Sequence, residues 1–170
     1  MKRGRLITGA VVLALAIAAC GSSGTSGAPG VPKGTVQGTV QMTNGAASQI
    51  DLCTVSTYTA GTAVTAADVT WSGMSAQNLT SAGLAWQGSV SAPGFACSLD
   101  PSLTKTLPSS GGEFTIAGAS PGRYALVVFV IAATSSGEDG RLVIGSDGVP
   151  VTAELTADSG VDVGTVKAAK

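Results

Sequence analysis

The 170-residue chain contains no histidine. That removes the usual general base of hydrolytic triads and the commonest side-chain metal ligand. Charge is scarce, at 11% Asp, Glu, Lys and Arg. The basic residues form no cluster beyond the N-terminus, so the positive footprint that nucleic acid requires is missing. No polybasic segment is present to attract anionic lipid headgroups either. Glu, Lys, Leu and Arg are few, whereas Gly, Ser, Thr, Ala and Val are abundant, a balance that disfavours helices and favours strands and turns. No apolar run reaches the ~20 residues that a membrane-spanning helix needs.

What is present begins at the N-terminus. Lys2, Arg3 and Arg5 precede an apolar stretch from Leu6 to Ala19. About 14 residues at ~1.5 Å each is too short to cross a ~30 Å hydrocarbon core, but it suits the apolar region of a signal peptide. The stretch ends in Ile17-Ala18-Ala19-Cys20. This resembles the lipobox of bacterial lipoproteins: an aliphatic residue, two small residues and a cysteine. The resemblance implies that residues 1–19 are removed. It also implies that the Cys20 sulfur carries a diacylglyceryl group, with a further acyl chain such as palmitate on the new amino terminus. Stable anchoring takes more than one chain, at about 0.8 kcal/mol per buried methylene, and this modification supplies it. The expectation is a domain outside the cytoplasm, held on the cell membrane or the outer membrane by its lipid.

Residues 20–34 then form a Gly/Ser tether with Pro29 and Pro32, a coil of roughly 20 Å root-mean-square span. Residues 35–168 make one domain of ordinary size, ~135 residues. After Cys20 the chain keeps six Lys and Arg against ten Asp and Glu.

Within the domain, hydrophobicity alternates with the period of a strand. Val36, Val40 and Met42 share one face around Gly38, and Asn44-Gly45 follows as a turn. Ile50 and Leu52 share a face, as do Phe114 and Ile116, and then Val149, Val151, Ala153 and Leu155. The last strand, Val161–Val166, is expected to bulge at Gly164. Tyr124–Ile131 is different, being apolar on both faces, which marks a central strand covered on both sides.

These pieces resemble the carboxypeptidase regulatory-like domains. Gly34-Thr35-Val36-Gln37-Gly38-Thr39-Val40 looks like their first strand. Gly112-Glu113-Phe114-Thr115-Ile116, followed by Pro121-Gly122-Arg123-Tyr124-Ala125-Leu126, is similar to their signature. Val161-Asp162-Val163-Gly164-Thr165-Val166 resembles their closing strand. The resemblance implies an all-β fold, a single antiparallel sandwich of transthyretin-like or immunoglobulin-like type. It implies binding, folding-support or spacing roles and carries no catalytic residues. The chain departs from the pattern in a long insertion, about residues 56–110, with additional strands expected around Val64–Trp71 and Leu84–Ala92.

Once Cys20 is acylated, Cys53 and Cys97 remain, an even pair in an oxidising compartment, and a disulfide is expected. The alternative is two separately buried thiols. Gly118-Ala119-Ser120-Pro121-Gly122 matches a hydrolase elbow in letters only, because the chain has no histidine and Pro121 cannot donate to an oxyanion. Ser102-Leu103-Thr104-Lys105 matches Ser-x-x-Lys without the companion motifs of that enzyme class. Glu138, Asp139 and Asp147 lie in Gly-rich surroundings but match no calcium-loop spacing and read as solvated turn carboxylates. No metal or cofactor is expected.

Trp71 and Trp86 carry the binding hypothesis. Exposed, they would stack on a glycan or anchor a protein partner; packed, they would build the core of the insertion, which is the commoner use. The insertion is the nearest element to the second apolar row of the central strand, formed by Val127, Phe129 and Ile131. Its residues Trp71, Trp86 or Leu84 are expected to cover that row and leave a monomer. The functional expectation is a non-catalytic, membrane-anchored interaction module of the cell envelope. A passive spacer lipoprotein is the second reading, and an enzyme is disfavoured.

Overall fold

The computed structural model describes residues 33–79, 83–131 and 138–169. Cys20, with the expected signal peptide and most of the expected tether, lies outside the described residues.

The fold is an all-β sandwich, with ten strands among the described residues. They are β1 (Gly34–Met42), β2 (Ala46–Tyr58), β3 (Thr70–Leu79), β4 (Gly83–Ala92), β5 (Phe95–Thr106), β6 (Gly111–Ala119), β7 (Gly122–Ile131), β8 (Glu138–Leu142), β9 (Thr152–Leu155) and β10 (Gly160–Ala168). A 3-10 turn at Ala66–Asp68 is the one helical element among the described residues. A three-stranded sheet runs β10-β1-β6, and a seven-stranded sheet runs β3-β4-β5-β2-β7-β8, with β9 pairing the first half of β7. One pairing departs from the expected antiparallel pattern, since β1 and β10 run parallel. Their register shifts between Gln37 and Thr39, opposite Val163-Gly164, where the sequence anticipates a bulge.

The principal core lies between the sheets. Val36, Val40, Ile50, Leu52, Phe114, Ile116, Ala153, Leu155 and Val166 meet there, with Tyr124, Leu126, Val128 and Val130 from one face of β7. Alternation explains each contribution, because residues two apart on a strand point the same way. The Val149–Leu155 alternation becomes a strand only from Thr152. Ahead of it, Pro150 makes a single bridge to Ile144.

The opposite face of β7 lines a second core. Ala125, Val127 and Phe129 are fully buried there with Cys53, Val90, Phe95, Cys97, Leu99 and Leu142. The seven-stranded sheet curls so that its β3–β4 end folds over its own concave face. Hydrogen bonding explains how. Only Ser89–Ala92 of β4 pairs with β5, leaving Gly83–Gly88 without that ladder. At the same level the β3–β4 register shifts between Ser72 and Ser75. Gly88 sits at this bend with φ of 152°, and a Cβ there would fall 2.6 Å from Met74 Sδ and 2.9 Å from the Ser72 carbonyl oxygen. The hairpin can bend only because that position has no side chain.

The added strands therefore start later than expected on one side. β3 begins at Thr70, while Val64 lies buried in the preceding loop, where its N–H donates to the Gly148 carbonyl at 2.7 Å. A strand at Val64 would need a paired edge, and the loop instead turns through the 3-10 segment, capped by Asp68 on Thr65. β4 matches the expected Leu84–Ala92 to within one residue.

Candidate functional site

The bent hairpin carries both tryptophans of the chain onto the concave face. The Trp86 ring stacks on Phe129, with centroids 5.0 Å apart and planes 7° apart. Its indole N–H donates to Glu138 Oε2 at 3.0 Å, which joins β4 to the first residue of β8. Trp71, on β3, lies over the backbone of Gly140 on β8. A Cβ at Gly140 would come within 2.8 Å of the Trp71 ring, so only glycine admits this approach. Trp71 and Trp86 remain half-buried. Met74 joins them, and between these groups opens a cavity of about 250 Å³ lined by Trp71, Met74, Trp86, Phe129, Glu138, Asp139 and Gly140.

The covering role expected of the insertion is thus filled by Trp71 and Trp86. Leu84 does not share it. At 40% exposure it lies one alternation beyond Trp86, and Ile131, one alternation beyond Phe129, is 46% exposed. Both lie past the end of the stacked pair, where the cover stops.

Cys53 and Cys97 form a disulfide with Cα atoms 5.5 Å apart. It links β2 to β5 at diagonal register positions, since Cys53 pairs with Leu99 and Val55 with Cys97. Both half-cystines are buried in the second core.

Beside the disulfide lies a buried carboxyl group. Asp51 is fully buried, on the same face of β2 as Cys53. Gln49 Nε2 donates to its two carboxylate oxygens at 3.0 and 3.2 Å, and Thr104 Oγ1 stands 2.5 Å from Oδ1. Burial pushes the Asp51 carboxyl up to about 7; the Thr104 and Gln49 hydrogen bonds oppose this, and the Glu138 carboxylate adds to it.

The remaining motif residues are dispersed. Ser102 donates to Asp100 Oδ1 at 2.7 Å, a local turn that occupies its hydroxyl. Ser120 lies in the turn between β6 and β7, where its carbonyl accepts the Tyr124 hydroxyl at 2.8 Å and its own hydroxyl meets Lys33 Nζ at 3.1 Å on the surface. Asp139 faces Arg141 at 3.7 Å. Asp147, in the turn after β8, accepts the Val149 N–H at 3.1 Å. Among the described residues, no group of three or more Cys, Asp or Glu side chains is placed to hold a metal ion.

Glu138, Met74 and Gly140 carry no sequence motif, and their part in the cavity depends on a bend that periodicity cannot register. Asp51 did leave a signal. With Ile50 and Leu52 facing the main core, Asp51 must share a face with Cys53. No family model, curated protein or solved structure matches this chain.

Proposed function

We propose that the chain is an exported lipoprotein, held on a membrane through a lipid on Cys20, whose β-sandwich is a non-catalytic interaction module. The contact point is the tryptophan-lined mouth between the β3–β4 hairpin and β8. One observation carries this reading: two half-buried tryptophans flank an open cavity beside a carboxylate, whereas a spacer needs only a closed core. Aromatic anchors that are part-desolvated before binding lose little conformational entropy when a partner arrives, and they dominate interface energetics. The resemblance to carboxypeptidase regulatory-like domains, with their binding and support roles, points the same way. The spacer reading has its own support in the stacking of Trp86 on Phe129, a contact that stabilises the fold whether or not anything binds.

The test has two arms. Cys20→Ala should abolish incorporation of labelled palmitate and release the chain from membranes; normal labelling and partition would end the lipoprotein reading. For the module, wild type and Met74→Lys, which places a charged side chain in the mouth, are compared as baits for envelope glycans and proteins. Binding lost in the variant supports the mouth as contact point, and an identical profile for both baits leaves the spacer.

A further inference from the structure

We propose that the mouth binds an organic ammonium group, seated among Trp71, Trp86 and Met74 with its charge against the Glu138 carboxylate. This rests on the reading of the mouth as a contact point and commits it to one ligand chemistry.

Three observations select a cation. The first is charge without a counter-ion. The two ion pairs found among the described residues are Arg123 with Glu154 and Arg141 with Asp139. Asp139 is therefore already matched, while Glu138 has the Trp86 indole N–H as its partner and, among the described residues, no cationic side chain. A carboxylate held against aromatic rings at a cavity wall favours a positive guest over a neutral one.

The second is the shortage of donors. A sugar needs donors and acceptors together. Here the Trp86 N–H is spent on Glu138, which leaves the Trp71 indole N–H as the one side-chain donor of the lining, since Met74, Phe129 and Gly140 offer none and the carboxylates only accept. A guest that brings positive charge, or donors alone, satisfies these walls.

The third is size. About 250 Å³ lies below the usual range for a whole drug-sized ligand. It matches one compact head group such as a methylated ammonium, whose methyls contact ring faces and thioether while its charge lies over the π-electrons. Burial already raises the Asp51 carboxyl, and repulsion from the Glu138 carboxylate adds to that rise. A guest cation would relieve that repulsion.

The chain's only two tryptophans both line this cavity, so intrinsic fluorescence reports on it directly. The intact lipoprotein, in a non-ionic detergent, is titrated with choline and with 3,3-dimethylbutanol, the same skeleton with carbon in place of the ammonium nitrogen. The expected result is a saturable emission change with choline, at least ~10-fold weaker affinity for the neutral isostere, and a loss of similar size in Glu138→Gln. Rising salt should weaken choline binding as the charge contribution is screened. Should Glu138→Gln prove unfolded by circular dichroism, the isostere and salt arms on wild type still decide. Equal affinity for both compounds, or a salt-independent choline response, overturns the cation assignment but leaves an aromatic contact site. Silence toward both compounds also overturns it; if the Met74→Lys bait comparison shows binding loss as well, the mouth itself survives and only its ligand chemistry is wrong.

Discussion

Asp51→Asn should make the protein's stability less dependent on pH and raise it at neutrality. The carboxyl is fully buried in the second core, with Gln49 and Thr104 as hydrogen-bond partners and the disulfide two residues away. Burial raises its folded pKa to about 7 from 3.8. Between those values the folded protein holds a proton on Asp51 that the unfolded chain has released. The unfolded state then binds fewer protons, so stability falls as pH rises through the window, by about 1.4 kcal/mol per pH unit. Across roughly three units the loss approaches ~4 kcal/mol, a large share of a small domain's net stability. The other resolved shifts act outside this window. Asp68, lowered by its hydrogen bond from the Thr65 hydroxyl, contributes stability that is lost only as pH falls below the ordinary carboxylate range. Tyr124, raised by burial, acts near alkaline pH. Urea unfolding of wild type and Asp51→Asn from pH 4 to 7.5, with the disulfide intact, isolates the effect because the remaining titrations cancel in the difference. The variant should gain roughly 3 kcal/mol relative to wild type between the two ends of that range. A constant difference, or an Asp51 carboxyl carbon that titrates near pH 4 by NMR, would refute the reasoning.

Removing the disulfide with Cys53→Ser and Cys97→Ser together should lower stability by about 4 kcal/mol, because it frees a loop closed over a sequence separation of 44 residues; a loss below ~1 kcal/mol by denaturant titration would show that the concave core alone holds β2 to β5. Gly140→Ala should cost about 1–3 kcal/mol by overpacking, since the new Cβ would lie 2.8 Å from the rigid Trp71 ring. Unchanged stability and tryptophan emission would show that the ring is not seated there.

The two-faced strand was legible because it violated a rule. β2 buries both faces too, but with Gln49 and Asp51 in its second row, whereas β7 alternates between two apolar rows, and that residue pattern alone requires a second cover. The sequence also supplied the covering residues in outline, since aromatics are concentrated in the insertion. It could not supply the manner of covering. That depends on the hairpin leaving β5 at Gly88, and an isolated glycine in a strand signals a bulge or a close approach without saying which way the chain then turns. Leu84 shows the consequence. It lies on the same strand and the same face as Trp86, but the stacked pair ends before reaching it. The parallel β1–β10 pairing was equally silent, because alternation within one strand says nothing about the direction of its neighbour.

The geometry joins stability and recognition in the same side chains. β7 requires its second row covered, and the hairpin supplies the cover with two indoles instead of aliphatic side chains. An aliphatic cover would bury Phe129 as well, but it could not reach Glu138 with a hydrogen bond or present a π-face to the cavity. Gly140 sharpens the point. A side chain there would fill the space under Trp71 and cover β8 directly, yet the position is left bare so that the ring can lie on the backbone. A guest in the mouth would therefore touch groups that also hold the hairpin down. Because it binds the folded state and not the unfolded one, its binding must raise the stability of the hairpin's attachment by mass action. Ligand-dependent protection of the β3–β4 amides from hydrogen exchange follows from the packing itself, and it would be absent from a domain whose tryptophans only filled a core.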